Sequence, residues 1–575
     1  SSTIEIVAGK DATLGGLVSG ADEVTLTVAD DAIVSGQVSS SGKLTLKTGQ
    51  GVANSGSVLG EGSGKISAEV LEMTTGSSAG EVLMAGQLLA AADLSIISFG
   101  SVQASLEVDS LSLETKSVGD VELVGKGLLE LEDVTVLSGF FRVQSDSLDA
   151  KLLRLLGTGD THDAHLITTT GDLRVGNVTM GAGRDIVIES EAAVSMLVSN
   201  GKLSSDALRV SAVKGIALRT DVSSLIAEVS GVGLLSLIEE NDLDVDFMRV
   251  AAGSLSLSAG GAVEVSEAKA TGGQLSLEAG DILGVGTVSA GSGKVILKGK
   301  SLTMLSAAEG ELSSLVSAWQ VDAEAAGDID LDLAASYLSL KTTGVGVVNI
   351  EEADSLVVNS AEVADGALGI SAEGDLRVNG LKAFGTGVID LRANKGTLAL
   401  GNIDAGSGNI VRANASGKVT NWTGRVTAEV TELTAGGSAV IDLAGGALEV
   451  ELLEAGDLII LSTGDLSVRK ALLSKGSVNA NVSGSLSVDG VELLSDNWIY
   501  LKASEEILQG SISAGAKSGT VTLVTPAQIS ATADAKRISA SEVVARAGGA
   551  VSLNIDGGSL SIETTAKGDV AVDAA

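Results

Sequence analysis

The only two histidines stand together in GDTHDAHLITTT, as His162 and His165 beside Asp160 and Asp163. Imidazoles and carboxylates this close are the ligand types that seat Zn or another transition metal. A closed site needs four converging ligands, however, and strand alternation sends His162 and His165 to opposite faces unless the segment loops. The plain alternative is a solvated corner, so none of these residues is assigned as a metal ligand.

Rows of carboxylates raise a second possibility. In EENDLDVDF, alternation places Asp242, Asp244 and Asp246 on one strand face and Leu243, Val245 and Phe247 on the other; GDIDLDL does the same with Asp328, Asp330 and Asp332. Several oxygens on one outer face could attract Ca²⁺. The glycine-rich nonapeptide that binds Ca²⁺ in repeat proteins is absent and neither stretch has EF-hand spacing, which favours ordinary outward residues of amphipathic strands. No cofactor is expected, Ca²⁺ being the one ion these faces could draw.

Other short motifs carry less. Leu243–Val245 (LDV) and Lys567–Asp569 (KGD) resemble integrin-binding tripeptides but arise readily in a chain rich in Asp, Leu and Gly. The sequons at Asn177, Asn414, Asn421 and Asn481 matter only in a host that glycosylates them. A sugar-processing site would need paired carboxylates in a cleft lined by rings. The rings are sparse: Trp319, Tyr337, Trp422, Trp498 and Tyr500 are scattered, and only the last two are neighbours, on one side of WIYLK. No catalytic or cofactor-binding residue is assigned, and the chain reads as no enzyme.

The elements that position these residues follow a beat. Gly253, Gly273 and Gly293 are twenty residues apart, each followed by an alternating apolar pair: Leu255 and Leu257, Leu275 and Leu277, Val295 and Leu297. Val263 and Val265 are answered by Leu283 and Val285, and Ala268 and Ala270 by Val288 and Ala290. Alternation puts each pair on one strand face, so each unit holds about three short strands. Hairpins of a sandwich could use such strands, but equal spacing favours a coil in which like stacks on like and the ladders run parallel. GDLSV at Gly464 returns as GSLSV at Gly484. GKISAEVLEMTTGSSA at Gly64 returns 360 residues on, eighteen units of twenty, as GRVTAEVTELTAGGSA at Gly424, with a further echo from Lys536. GDLRV at Gly171 returns at Gly374, a separation of 203 that marks a small slip. The fold expected is all-β: a right-handed parallel β-helix, or β-solenoid, with about 20 residues per coil and roughly 29 coils. Residues 1–575 then form one continuous shaft segment, on the order of 140 Å long at the inter-strand spacing.

Composition supports a narrow interior. The 575 residues are 44% hydrophobic but only 2% aromatic, with Gly 74, Pro 1 (Pro526) and Cys 0, so Leu, Val, Ile and Ala must fill the core. With 37 Lys+Arg against 74 Asp+Glu the net charge is −37, which repels nucleic acid and bare anionic membrane. No stretch reaches the length of a membrane span. Ser1 is followed by no basic or apolar leader pattern, so the chain reads as a processed or excised segment.

Units such as GDLSV, GSLSLSAGG, AEVTELTAGGSAVIDLAGG and GVIDLRANKGTLALGNIDAGSGNI resemble the repeat regions of filamentous haemagglutinin-like exoproteins, large secreted β-helical adhesins of Gram-negative bacteria. The resemblance covers most of the chain from about Gly42 onward. No Asn-Pro-containing secretion motif or toxin-like C-terminal domain accompanies it, so the match is to shaft. It implies a structural, extracellular or cell-surface rod, a stiff spacer whose partners are surface glycans or proteins of host or neighbouring cells. The alternatives are a self-assembling subunit of a surface layer or filament and, further off, a carbohydrate-active β-helix enzyme.

Overall fold

The structure is a computed structural model that describes residues 2–50, 56–76, 79–158, 163–306, 314–406, 408–421, 423–515, 517–532 and 537–574. The described residues contain strands and corners and no helix, so no helix is available to cross a membrane. Two compact units divide the chain. The first comprises Ser1–Asp281 with Thr287–Gly293, the second Ile282–Gly286 with Lys294–Ala575.

In the first unit, strands Leu243–Ala259 and Val263–Ala279 show how a turn is built. Leu243 pairs with Val263, Val245 with Val265, Met248 with Ala268, Val250 with Ala270, Leu255 with Leu275 and Leu257 with Leu277, all in parallel register. Each of these side chains is buried. Small and large aliphatics therefore form unbroken inner columns, and the apolar area they remove from water is the main stabilising term. The second unit obeys the same rule: Leu466 pairs with Leu486 and Val468 with Val488, and Leu458 with Val478 on the neighbouring face. Both units are parallel β-solenoids, with about 27 turns between them at a spacing near twenty residues.

The count falls short of 29 because the turns are unequal. In the first unit Leu44 pairs with Leu71, twenty-seven residues on, whereas Leu94 pairs with Leu111, seventeen on. In the second, Val295 pairs with Val321 and Ile512 with Ile538, twenty-six on, while Val321 pairs with Leu338, seventeen on. The inward positions are fixed by the column below, so corners alone can lengthen or shorten. The sequence echoes keep their local structure through these changes. Lys65–Ser67 then Val70–Thr74, Val426–Thr427 then Val430–Ala435, and Ile538–Ser539 then Glu542–Ala547 are each a short strand, a brief corner and a longer strand.

The recurring glycines have a steric cause. Gly253 sits at φ +134°, in the region that side-chain-bearing residues avoid, and a Cβ there would strike the carbonyl of Gly233 one turn before. A Cβ on Gly273 would strike Gly253 in the same way. Backbone thus rides directly on backbone at this corner. At other corners the inward residue is polar and closes a turn: Thr48 Oγ1 donates to the Gly56 carbonyl at 2.7 Å, Thr75 Oγ1 to Gly80 at 2.8 Å, and Ser98 Oγ to Gly80 at 3.0 Å. These buried hydroxyls find their partners in corner carbonyls, and that of Gly56 also accepts the Gly76 N–H at 3.0 Å from the next turn.

Candidate functional site

Of the candidates for chemistry the carboxylates are the most numerous, and many of them are corner staples. Asp242 Oδ1 accepts the Ala262 N–H at 2.8 Å, one turn further along the first unit. Asp163 takes Asp185 N–H at 3.3 Å, and Asp185 in turn takes Ala207 N–H at 3.2 Å. In the second unit Asp328 takes Val347 N–H at 2.7 Å, and Asp457 and Asp465 take Ser477 and Ser485 N–H at 2.8 Å each. The side chain is short enough to reach a backbone donor that the ladder leaves open where the chain bends, and it carries acceptors only. The sequence signal is a glycine or polar residue, then Asp, then an apolar strand start, as in Gly456-Asp457-Leu458 and Gly464-Asp465-Leu466.

This placement corrects the two acidic rows. Asp242 lies in a corner, whereas Asp244 and Asp246 are exposed on the strand. A bulge between Leu225/Ile226 shifts the register so that Met248 turns inward and Phe247 is only half-buried. The LDV motif is closed on both sides, since Leu243 and Val245 are core residues, while Lys567–Asp569 is exposed. In the other row Asp328 is a staple, and Asp330 accepts Asn349 Nδ2 at 2.9 Å. Burial, and then the neighbouring Asp330 carboxylate, push the Asp332 pKa up. Among the described residues no three His, Asp or Glu side chains gather as a metal site.

Asp160 and His162 lie outside the described residues, as does Trp422. His165 is on the outer face of the strand Ala164–Thr168, between Arg142 and Val187 of adjacent turns, with Nε2 3.5 Å from Glu189 Oε1. Close by in sequence, Arg184 is fully buried. Its Nη2 lies 3.4 Å from the Gly139 carbonyl, Nε and Nη1 have no partner among the described residues, and burial pulls its pKa down while Asp163 opposes the shift. A second group held against its preference is Glu352, whose carboxyl burial pushes up to about 7 even though it accepts Ala335 N–H at 2.9 Å and Asp354 N–H at 3.2 Å.

Basic side chains are largely engaged by acids one turn away. Lys151 reaches Glu130 at 2.8 Å and also Glu132, and its bond lowers the Glu130 pKa. Lys202 bridges Asp221 at 2.8 Å and Glu240 at 3.1 Å. These pairs are about one-third exposed and individually worth little; as rungs they keep successive outer faces in step.

The aromatic residues are arranged differently from the sequence expectation. Trp498 and Tyr500 do share the outer face of Trp498–Ala503. Among the described residues the ring contact, however, is between Trp319 and Tyr337, centroids 4.9 Å apart and planes tilted by 55°. Gln320 pairs with Tyr337 across a seventeen-residue turn; a uniform period of twenty separates the rings, which is why spacing alone does not bring them together. An outer-face trough of about 480 Å³ runs across four strands of the second unit, lined by residues such as Ile296, Asp322, Ser339 and Ser360, and neither ring lines it.

No family model matches the chain, and no curated protein or solved structure is found similar to it. What the geometry itself establishes is the class: an all-β, parallel β-solenoid repeat protein.

Proposed function

We propose that this chain is a structural, non-enzymatic shaft segment of a secreted or cell-surface adhesin of the filamentous haemagglutinin-like kind, working as a stiff spacer outside the cell. The observation that carries the reading is the allocation of side chains. Aliphatic residues fill the columns of successive turns, as in Leu243–Ala259 over Val263–Ala279 and Leu466–Lys475 over Leu486–Leu493. Meanwhile many polar residues serve corner staples and cross-turn ion pairs. A stack with hydrogen-bonded ladders at every step resists bending, and each turn depends on its nearest neighbours. Its outer faces repeat, so weak contacts to surface glycans or proteins add by multivalency. The repeat units quoted above and the strongly acidic balance, unsuited to nucleic acid, support the same reading.

Small-angle scattering over a concentration series tests it. A spacer requires an elongated particle whose maximum dimension is independent of concentration. A dimension that grows with concentration transfers support to a self-assembling layer or filament subunit, and a compact particle contradicts both.

A further inference from the structure

One outward row of the second unit alternates in charge from turn to turn. Its residues come from the strands Lys294–Gly299, Leu315–Ala325, Ile329–Thr342, Leu356–Val363, Leu376–Ala383 and Leu398–Asp404. Parallel register sets Lys298 beside Glu324, Glu324 beside Lys341, Lys341 beside Glu362, Glu362 beside Lys382 and Lys382 beside Asp404. Rungs stand about 4.8 Å apart, so plus and minus alternate over about 24 Å. The row holds one base for each acid in a chain that has 37 Lys+Arg against 74 Asp+Glu, so it is neutral where chains otherwise repel one another. Its charges are also largely uncommitted. Lys298 meets Glu324 at 3.6 Å, but Lys341, Glu362 and Lys382 are exposed and make no ion pair or side-chain hydrogen bond among the described residues. Two residues earlier on the first four strands, and therefore on the same face, Ile296, Asp322, Ser339 and Ser360 form a shorter row. Both rows line the trough of about 480 Å³, so a ridge of long charged chains borders a groove whose lining is mostly apolar.

We infer that this face binds the same face of a second copy of the chain, antiparallel, about a two-fold axis between Lys341 and Glu362. Such an axis turns the row end for end, and an alternating row of six is then its own complement. Lys298 meets the partner's Asp404, Glu324 the partner's Lys382 and Lys341 the partner's Glu362, and the symmetry repeats each pair. A parallel pair in register would set every charge against its like, which is repulsive. The shapes answer each other as well. The aliphatic stems of Lys341 and Lys382 can lie along the partner's groove while their ammonium groups reach its carboxylates. A contact of this kind is isologous and closed: it joins two chains and stops, unlike the open growth of a layer or filament subunit. Pairing goes beyond the spacer reading and is compatible with it. Exposed ion pairs are individually weak, so chains stand alone in a dilute scattering sample and pair when concentrated or held side by side.

The test is sedimentation velocity of the whole chain from about 1 μM to about 0.3 mM in about 0.15 M salt, where charges beyond about 8 Å are screened and contacts at the rung spacing are not. The expected result is a reversible equilibrium of single chains and dimers, with no larger species. Lys341→Glu and Glu362→Lys should each weaken self-association by about tenfold or more, because each sets two like-charge pairs at the centre of the contact. Glu362→Lys also lowers the net negative charge, which would tighten any non-specific association. An equimolar mixture of the two variants should pair as tightly as the unaltered chain, and the double variant Lys341→Glu/Glu362→Lys should pair with itself, since both arrangements restore opposite charges at every rung. A parallel pair slipped by one rung would lose that rescue in the double variant. Lys475→Glu makes the same charge change as Lys341→Glu at an exposed position outside the row and should leave pairing unchanged. All these side chains are exposed, and unchanged far-ultraviolet dichroism confirms that each variant folds. No dimer at about 0.3 mM chain, assembly beyond the dimer, pairing as tight in Glu362→Lys as in the unaltered chain, or a double variant that does not pair would overturn the inference. None of these outcomes alters the dilute scattering result by which the spacer reading is judged.

Discussion

Glu352→Gln should stabilise the second unit at pH 8 and change little at pH 4. Glu352 is 4% exposed, and burial holds its carboxyl at about 7 against an ordinary 4.5. In the folded chain the group keeps its proton over a range in which the unfolded chain has lost it, so stability falls as pH rises from about 4.5 to about 7. A shift of that size corresponds to roughly 3 kcal/mol once both states are ionised. Glutamine has the shape of the protonated acid and retains an acceptor for the Ala335 N–H, now 2.9 Å from the carboxylate. Hydrogen exchange of the segment Ile329–Thr342 and of the corner after Glu352, corrected for intrinsic pH dependence, reads the effect locally. The expected gain in protection at pH 8 is up to about a hundredfold, shrinking to within about twofold at pH 4. Equal protection at pH 8, or lower protection in the variant, refutes the argument that burial rather than the two N–H bonds governs this carboxyl.

Removing a corner staple should act one turn away: Asp465→Ala exposes the Ser485 amide to exchange at a cost of about 1 kcal/mol, whereas Asp465→Asn retains most of the protection. Leu257→Ala, in a column between Leu237 and Leu277, should cost about 2–5 kcal/mol. Exchange should rise in the adjoining turns and not at Leu466–Lys475 in the other unit. Arg184→Met should raise the urea resistance of the first unit by about 1–3 kcal/mol, because it replaces a buried guanidinium, two of whose nitrogens have no partner among the described residues, by an apolar chain of similar length.

The inner columns were readable because alternation and a twenty-residue beat coincide where the turns are equal, as from Leu243 to Ala279 and from Leu466 to Leu493. The unequal turns were not. An offset of seventeen at Val321/Leu338 or twenty-seven at Leu44/Leu71 depends on how a corner bulges, and corner residues carry no period. The contact between Trp319 and Tyr337 was hidden for that reason. Phe247 reads as inward on alternation alone, and only the bulge beside it moves Met248 into the column. The staple role of Asp242 and Asp328 was hidden for a different cause: a carboxylate that accepts a backbone N–H and one that faces water look alike in sequence, and the preceding residue and following strand start decide between them. Buried polar side chains such as Thr48 and Glu352 break the hydrophobic pattern, so they became visible only with the fold.

Register is the claim on which the rest stands, and paired cysteines measure it in a chain that has none of its own. Ser256 faces Ser276 in the first unit and Ser467 faces Ser487 in the second. Neighbouring parallel strands lie about 4.8 Å apart, within the Cα separation a disulfide spans, while a partner two residues out of register lies at about 8 Å, beyond it. Double variants Ser256→Cys/Ser276→Cys and Ser467→Cys/Ser487→Cys should therefore close intramolecular disulfides under mild oxidation, and Ser256→Cys/Gln274→Cys and Ser467→Cys/Ser485→Cys should not. Efficient closure of the offset pairs with failure of the matched ones would contradict the stacked parallel turns in that unit.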